Sequence, residues 1–112
     1  MAHRTDLGTV LIHNDVIASI ASHAALEVPG VAGLWYGRLS SLRSLFLHRG
    51  VRVEIRDQDV RLWVDIIAEY GSNLPHVASQ VQERIREMIE QMTSLMASEI
   101  HVHIHHVKVK KS

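Results

Sequence analysis

There is no cysteine in the chain, which removes disulfides, thiolate metal sites and a cysteine nucleophile from consideration. Aromatic residues make up only 4% of it, so the position of each tryptophan matters. No apolar run reaches the roughly eighteen residues that a spanning helix needs, and no apolar signal core follows the polar start Met1–Asp6. Any membrane contact is therefore expected to be peripheral or through a partner. Common catalytic signatures are missing too. No serine sits in a G-x-S-x-G elbow, and no glycine-rich loop ends in Gly-Lys-Ser/Thr. The close carboxylates Asp57 and Asp59 fall at a hairpin turn, where turn chemistry accounts for them. The residues give no ground for an enzyme or for a cofactor.

What remains is an ordinary soluble balance, 46% apolar and 21% charged, with too much hydrophobe for a disordered chain. At 112 residues it makes one domain, 1–112, able to bury roughly 65% of its unfolded surface. The formal net charge is zero, but the charges are segregated. Between Val28 and Val53 there are arginines (Arg38, Arg43, Arg49, Arg52) and no acid. The stretch from Glu54 to Glu99 is mainly acidic, and only Lys108, Lys110 and Lys111 follow it. Such a pattern permits docking to an anionic surface without requiring it.

Tyr70–Leu95 organises the rest. A polar turn, Gly71-Ser72-Asn73, precedes Pro75, which suits a first helical turn. Val77, Val81, Ile85, Met88, Ile89, Met92 and Leu95 then recur at spacings of three and four, one stripe of a helix. An earlier helix is predicted after a short strand at Gly8–Ile12, with His13-Asn14-Asp15 at its start and Val16, Ile17, Ile20, Ala21, Ala24 and Val28 as its buried stripe. Pro29-Gly30 ends it. Residues 51–56 and 60–67 alternate with period two around a turn at Asp57-Gln58-Asp59, which predicts a hairpin. After Ala97-Ser98 a last strand runs from Glu99 to Val107. The expected class is α+β: a small mixed, mostly antiparallel sheet with two main helices packed on one face.

Three surface features could bind something. Trp63 and Ile67 point to the strand face away from the helices, an arrangement that suggests an interaction surface. Leu42 and Phe46, in the basic amphipathic stretch 38–49, are a second candidate contact, against the blander reading of a surface connector. His101, His103 and His105 alternate along the last strand and share that outer face. H-x-H on a strand can give two ligands to a zinc ion, with Glu54 or Asp65 as a third, although a solvated strand using histidine as its polar residue explains the row as well. Gly30-Val31-Ala32-Gly33 fits the G-x-x-G loop of KH-type RNA binders, but here it joins a helix to a strand rather than two helices.

Separated motifs match one family. Tyr70-Gly71-x-Asn73-Leu74-Pro75-x-Val77-Ala78-x-x-Val81-Gln82-x-x-Ile85, followed by Ile89-Glu90-x-Met92-Thr93, resembles the signature of the alkaline shock protein family, also called the bacterial envelope stress response or general stress protein family. Gly8-x-Val10-x-Ile12, Val16-Ile17-x-x-Ile20-Ala21 and Ala25-x-Glu27-Val28-x-Gly30-Val31-Ala32-Gly33-Leu34 are similar to its N-terminal half. Ser94 stands where the family usually has glycine, so the helix exit is expected to differ. The resemblance implies a non-enzymatic, cytoplasmic interaction module in envelope homeostasis. It implies self-association into a homo-oligomer and a small membrane-anchored protein partner that holds it at the inner face of the membrane. Two other readings stay open: a nucleic-acid-binding module using the basic segments, against which the acidic central helix counts, and a metal-binding protein using the histidines.

Overall fold

The structure, a computed structural model, describes residues 2–35 and 50–109. Its main sheet is built around one strand. β1 (Ala2–Thr5) and β2 (Gly8–Leu11) form an antiparallel hairpin of their own. Then come α1 (Asn14–Leu26), β3 (Val31–Leu34), β4 (Val51–Arg56), β5 (Asp59–Glu69), α2 (Leu74–Met92) and β6 (Met96–Lys108). The hairpin could not have been inferred from Gly8–Ile12 alone. Its described side chains, Arg4 to Leu11, are all exposed, so there is no buried face for periodicity to report.

β5 is central because its apolar set is complete: Val60, Leu62, Val64, Ile66 and Ala68 are all fully buried. β4 pairs antiparallel with its first half and β3 antiparallel with residues 66–68, so those two strands lie end to end along one edge. β6 runs parallel to β5 along the whole of the other edge. The parallel pair needs a crossover, and α2 supplies it. Both helices cover one face, α1 over β3 and β4, α2 over β6, and they pack on each other. The α+β class and the mixed, mostly antiparallel sheet are thus as the alternation predicts. Val28 to Leu34 is a helix end followed by β3, which is not the helix–loop–helix context that the G-x-x-G reading requires.

The helices correct several expectations. His13 occupies the cap position of α1 but makes no side-chain cap bond, and Asn14 Nδ2 instead donates to the Val53 carbonyl at 3.4 Å. Val16, expected in the buried stripe, is 47% exposed, whereas Ala18 and Ala25 are buried. At about 100° per residue Val16 lies on one flank of the Ile17–Ala24 line and the two alanines on the other. The small side chains let the core close on their side. In α2, Asn73 Oδ1 accepts from the His76 N–H at 3.1 Å, and Val77, Val81, Ile85 and Ile89 are buried. Met92, expected in the core, is 58% exposed. The helix stops there, Thr93 turns extended, and Leu95 completes the core in its place. β6 accordingly begins at Met96, three residues earlier than the alternation suggests.

Two glycines are dictated by close approach. Gly30 has φ +96°, and a Cβ there would meet Val77 Cγ2 at 2.6 Å, which locks the end of α1 against the start of α2. Gly50 has φ +74°, and a Cβ would lie 2.9 Å from the Trp35 carbonyl oxygen. Further along the helices, Arg84 Nη2 reaches Glu27 Oε2 at 2.9 Å, and that hydrogen bond is the main cause of a pKa raised above the usual guanidinium value.

Candidate functional site

The face of the main sheet opposite the helices carries the residues with chemistry. Strand alternation sends Arg52 and Glu54 from β4, Arg61, Trp63, Asp65 and Ile67 from β5, and His101 and His103 from β6 to this side. Trp63, Asp65 and Ile67 are half-buried rather than open, because neighbouring side chains lie over them. Arg52 places its guanidinium carbon 4.3 Å from the Trp63 ring centroid, and His101 stacks on that ring at 5.6 Å. Trp63 therefore sits between a cation and an imidazole across three strands. His101 Nε2 is in turn 3.1 Å from Glu99 Oε1, and Arg61 Nε is 2.9 Å from Glu99 Oε2.

A second cluster lies one step further along β5. Asp65 is directly opposite His103 in the parallel ladder, and Asp65 Oδ1 is 3.6 Å from His103 Nδ1. His105 comes closer still, its Nε2 2.9 Å from the same oxygen. The register explains this. Ile66 pairs with Ile104 and Ile67 with His106, so His105 is the unpaired residue of a β-bulge. The bulge brings the imidazole toward Asp65 and lets Val107 return to the half-buried side. Trp35, just beyond β3, stacks flat on His105 with centroids 5.7 Å apart and planes 9° from parallel.

The predicted residues are thus only partly assembled. Trp63 and Ile67 share the outer face, while Leu42 and Phe46 lie outside the described residues, as does the whole of the 38–49 stretch. The row His101, His103, His105 divides: His101 belongs to Trp63 and Glu99, while His103 and His105 converge on Asp65. Of the two proposed third ligands, Asp65 and not Glu54 joins them. Within the described residues, Asp65, His103 and His105 form the one group of three with metal-ligating atoms all within 4.8 Å of one another. Trp35 was missed by sequence reasoning: residues 31–36 read as a strand interrupted by Gly33, which gives Trp35 no clear face, and β3 in fact stops at Leu34. The bulge had a signal in the doubled polar pair His105-His106, which breaks the period of two.

A third feature is a groove of about 500 Å³ between the helices, lined mainly by α1 from Asp15 to Ala24 and by Glu27 just past its end, with Met88 and Met92 from α2. The exposed Val16 and Met92 are its walls. Within the described residues, no helix is long and apolar enough to cross a membrane.

Known proteins bear on these observations. Chains of similar fold include MamM-CTD, in a copper form with a TM-score of 0.60 and 17% identity over 88% of this chain and 100% of that one. A cadmium form of it gives 0.59 at the same identity. At that identity the likeness concerns the fold. In sequence, the chain is 38% identical over 104 residues to the uncharacterized protein YqhY of Bacillus subtilis, covering 89% of this chain and 77% of that protein. It is 29% identical to YloU of the same organism over 95% and 93% of the two chains. It is 27% identical to a stress response regulator gls24 homolog of Streptococcus pyogenes, spanning 93% of this chain but 61% of the longer protein. A family model matches residues 2–109, nearly the whole length, and with it the motif resemblance is confirmed: the chain belongs to the ASP23 family, the alkaline shock family of cell envelope-related function.

Proposed function

We propose that this domain is a non-catalytic interaction module that serves its envelope-related family role by self-association through the outer face of the main sheet. The observation that carries the reading is that Trp35 and Trp63, the chain's two tryptophans, both lie on the face that no helix among the described residues covers. Tryptophan and arginine are the residues most enriched at interface hot spots, and Arg52 lies against Trp63. β6 adds a long edge next to this face, along which a second chain could extend the sheet. A small membrane-anchored protein that presents an apolar segment to the same surface would hold the module at the inner face of the membrane.

Sedimentation velocity of the wild type, Trp63→Ala and Trp35→Ala tests the reading. The expected result is an oligomer in the wild type that shifts to lower mass in either variant. Unchanged mass in both rejects the face as the interface. Raising the salt should leave the oligomer in place, whereas a nucleic-acid complex built on phosphate contacts would weaken steeply.

A further inference from the structure

We propose that Asp65, His103 and His105 form a binding site for a divalent transition cation of the zinc class. The argument is independent of self-association and rests on convergence. Two imidazole nitrogens and a carboxylate oxygen, from adjacent strands, lie within 4.8 Å of one another. Ligand atoms around a tetrahedral zinc at about 2.0–2.1 Å are roughly 3.3 Å apart. The contacts of Asp65 Oδ1, 2.9 Å to His105 and 3.6 Å to His103, bracket that value. A cation between the three groups needs only small rotations of exposed side chains.

The backbone supports the convergence. In an unbroken parallel ladder, His105 would stand opposite Ile67, two residues beyond Asp65. The bulge at His105 changes the pairing so that Ile67 faces His106 instead, and His105 closes on the carboxylate. Bulges are often found where a strand must re-aim a side chain. Trp35 then fixes the plane of the His105 ring by stacking on it. Two imidazoles and one carboxylate suit zinc or copper and are too few and too nitrogen-rich for magnesium or calcium. Three protein ligands leave a fourth position facing solvent, as in zinc sites that keep a water or take a small ligand. His101, which differs from the other two by its Glu99 and Trp63 contacts, is excluded from the set.

The experiment is calorimetric titration of the full chain with zinc chloride, with magnesium chloride as contrast. Wild type and His101→Ala should each bind one zinc with the same affinity, and neither should bind magnesium. Asp65→Asn and His105→Ala should weaken zinc binding at least tenfold, and the double variant His103→Ala/His105→Ala should abolish it. A second readout is tryptophan emission. Zinc should perturb it in Trp63→Phe, which keeps the Trp35–His105 stack, and leave it unchanged in Trp35→Phe. No zinc binding by the wild type, or equal binding by wild type and the double variant, overturns the site and reduces it to an imidazole–carboxylate hydrogen bond. Loss of binding in His101→Ala overturns the assignment of the ligands.

Discussion

The imidazole closest to Asp65 belongs to His105, at 2.9 Å, and not to His103, its partner across the ladder, at 3.6 Å. The contact is solvated on both sides, with side-chain exposures of 38% and 35%, and pairs of this kind contribute about 0–1 kcal/mol. His105→Ala should therefore lower stability by less than about 1 kcal/mol in urea unfolding. A larger loss would mean that the cluster holds the sheet together and is not free to serve a ligand.

Ile85 presents the opposite case. It is fully buried on α2, and Ile85→Ala should cost about 2–5 kcal/mol through the cavity it leaves. Urea unfolding with an unchanged m-value is the measurement, and a cost near that of a surface substitution would contradict the packing.

Met92→Ala should cost less than about 1 kcal/mol, because the side chain lines an open groove. A stripe reading that counts Met92 with Ile85 and Ile89 predicts several times more, so the same titration separates the two pictures.

Gly30→Ala should destabilise by more than about 1 kcal/mol, since alanine would adopt a left-handed φ and crowd Val77. Measured against Val77→Ala alone, which carries its own cavity cost, the same Gly30→Ala change should destabilise less, and the difference is the steric part.

Asn73→Ala removes the acceptor for the His76 N–H and should cost about 1 kcal/mol. Asn73→Ser and Asn73→Asp should restore most of it, which distinguishes capping from any other role of the side chain.

Much of this was legible in the residues, and the failures have physical causes. Period two marked β4, β5 and β6 because each buries one face, and period 3.6 marked both helices for the same reason. Met92 and Val16 misled because a stripe records which direction a side chain points, not whether anything stands opposite it. Where α2 ends and α1 begins, nothing among the described residues does. The β1–β2 hairpin, exposed on every described side chain, offered no pattern at all. For the site, H-x-H placed the histidines on one face correctly, but which of them meet was decided by a one-residue bulge. Ligand convergence depends on register, and register between distant strands is not written locally. Trp35 follows a glycine that interrupts its predicted strand, so alternation gave it no face, and the strand itself ends one residue earlier.

The backbone N–H of Trp35 donates to the backbone carbonyl of Asp65, and the backbone N–H of Asp65 donates to that of Gly50, both at 2.8 Å. The end of β3 and the start of β4 are thus bonded to the same residue of β5. Trp35 and Gly50 are held side by side by these two bonds. The backbone of Asp65 is thus the joint of two edge strands while its side chain meets His103 and His105, so one residue ties the cohesion of the sheet to the geometry of the imidazole cluster.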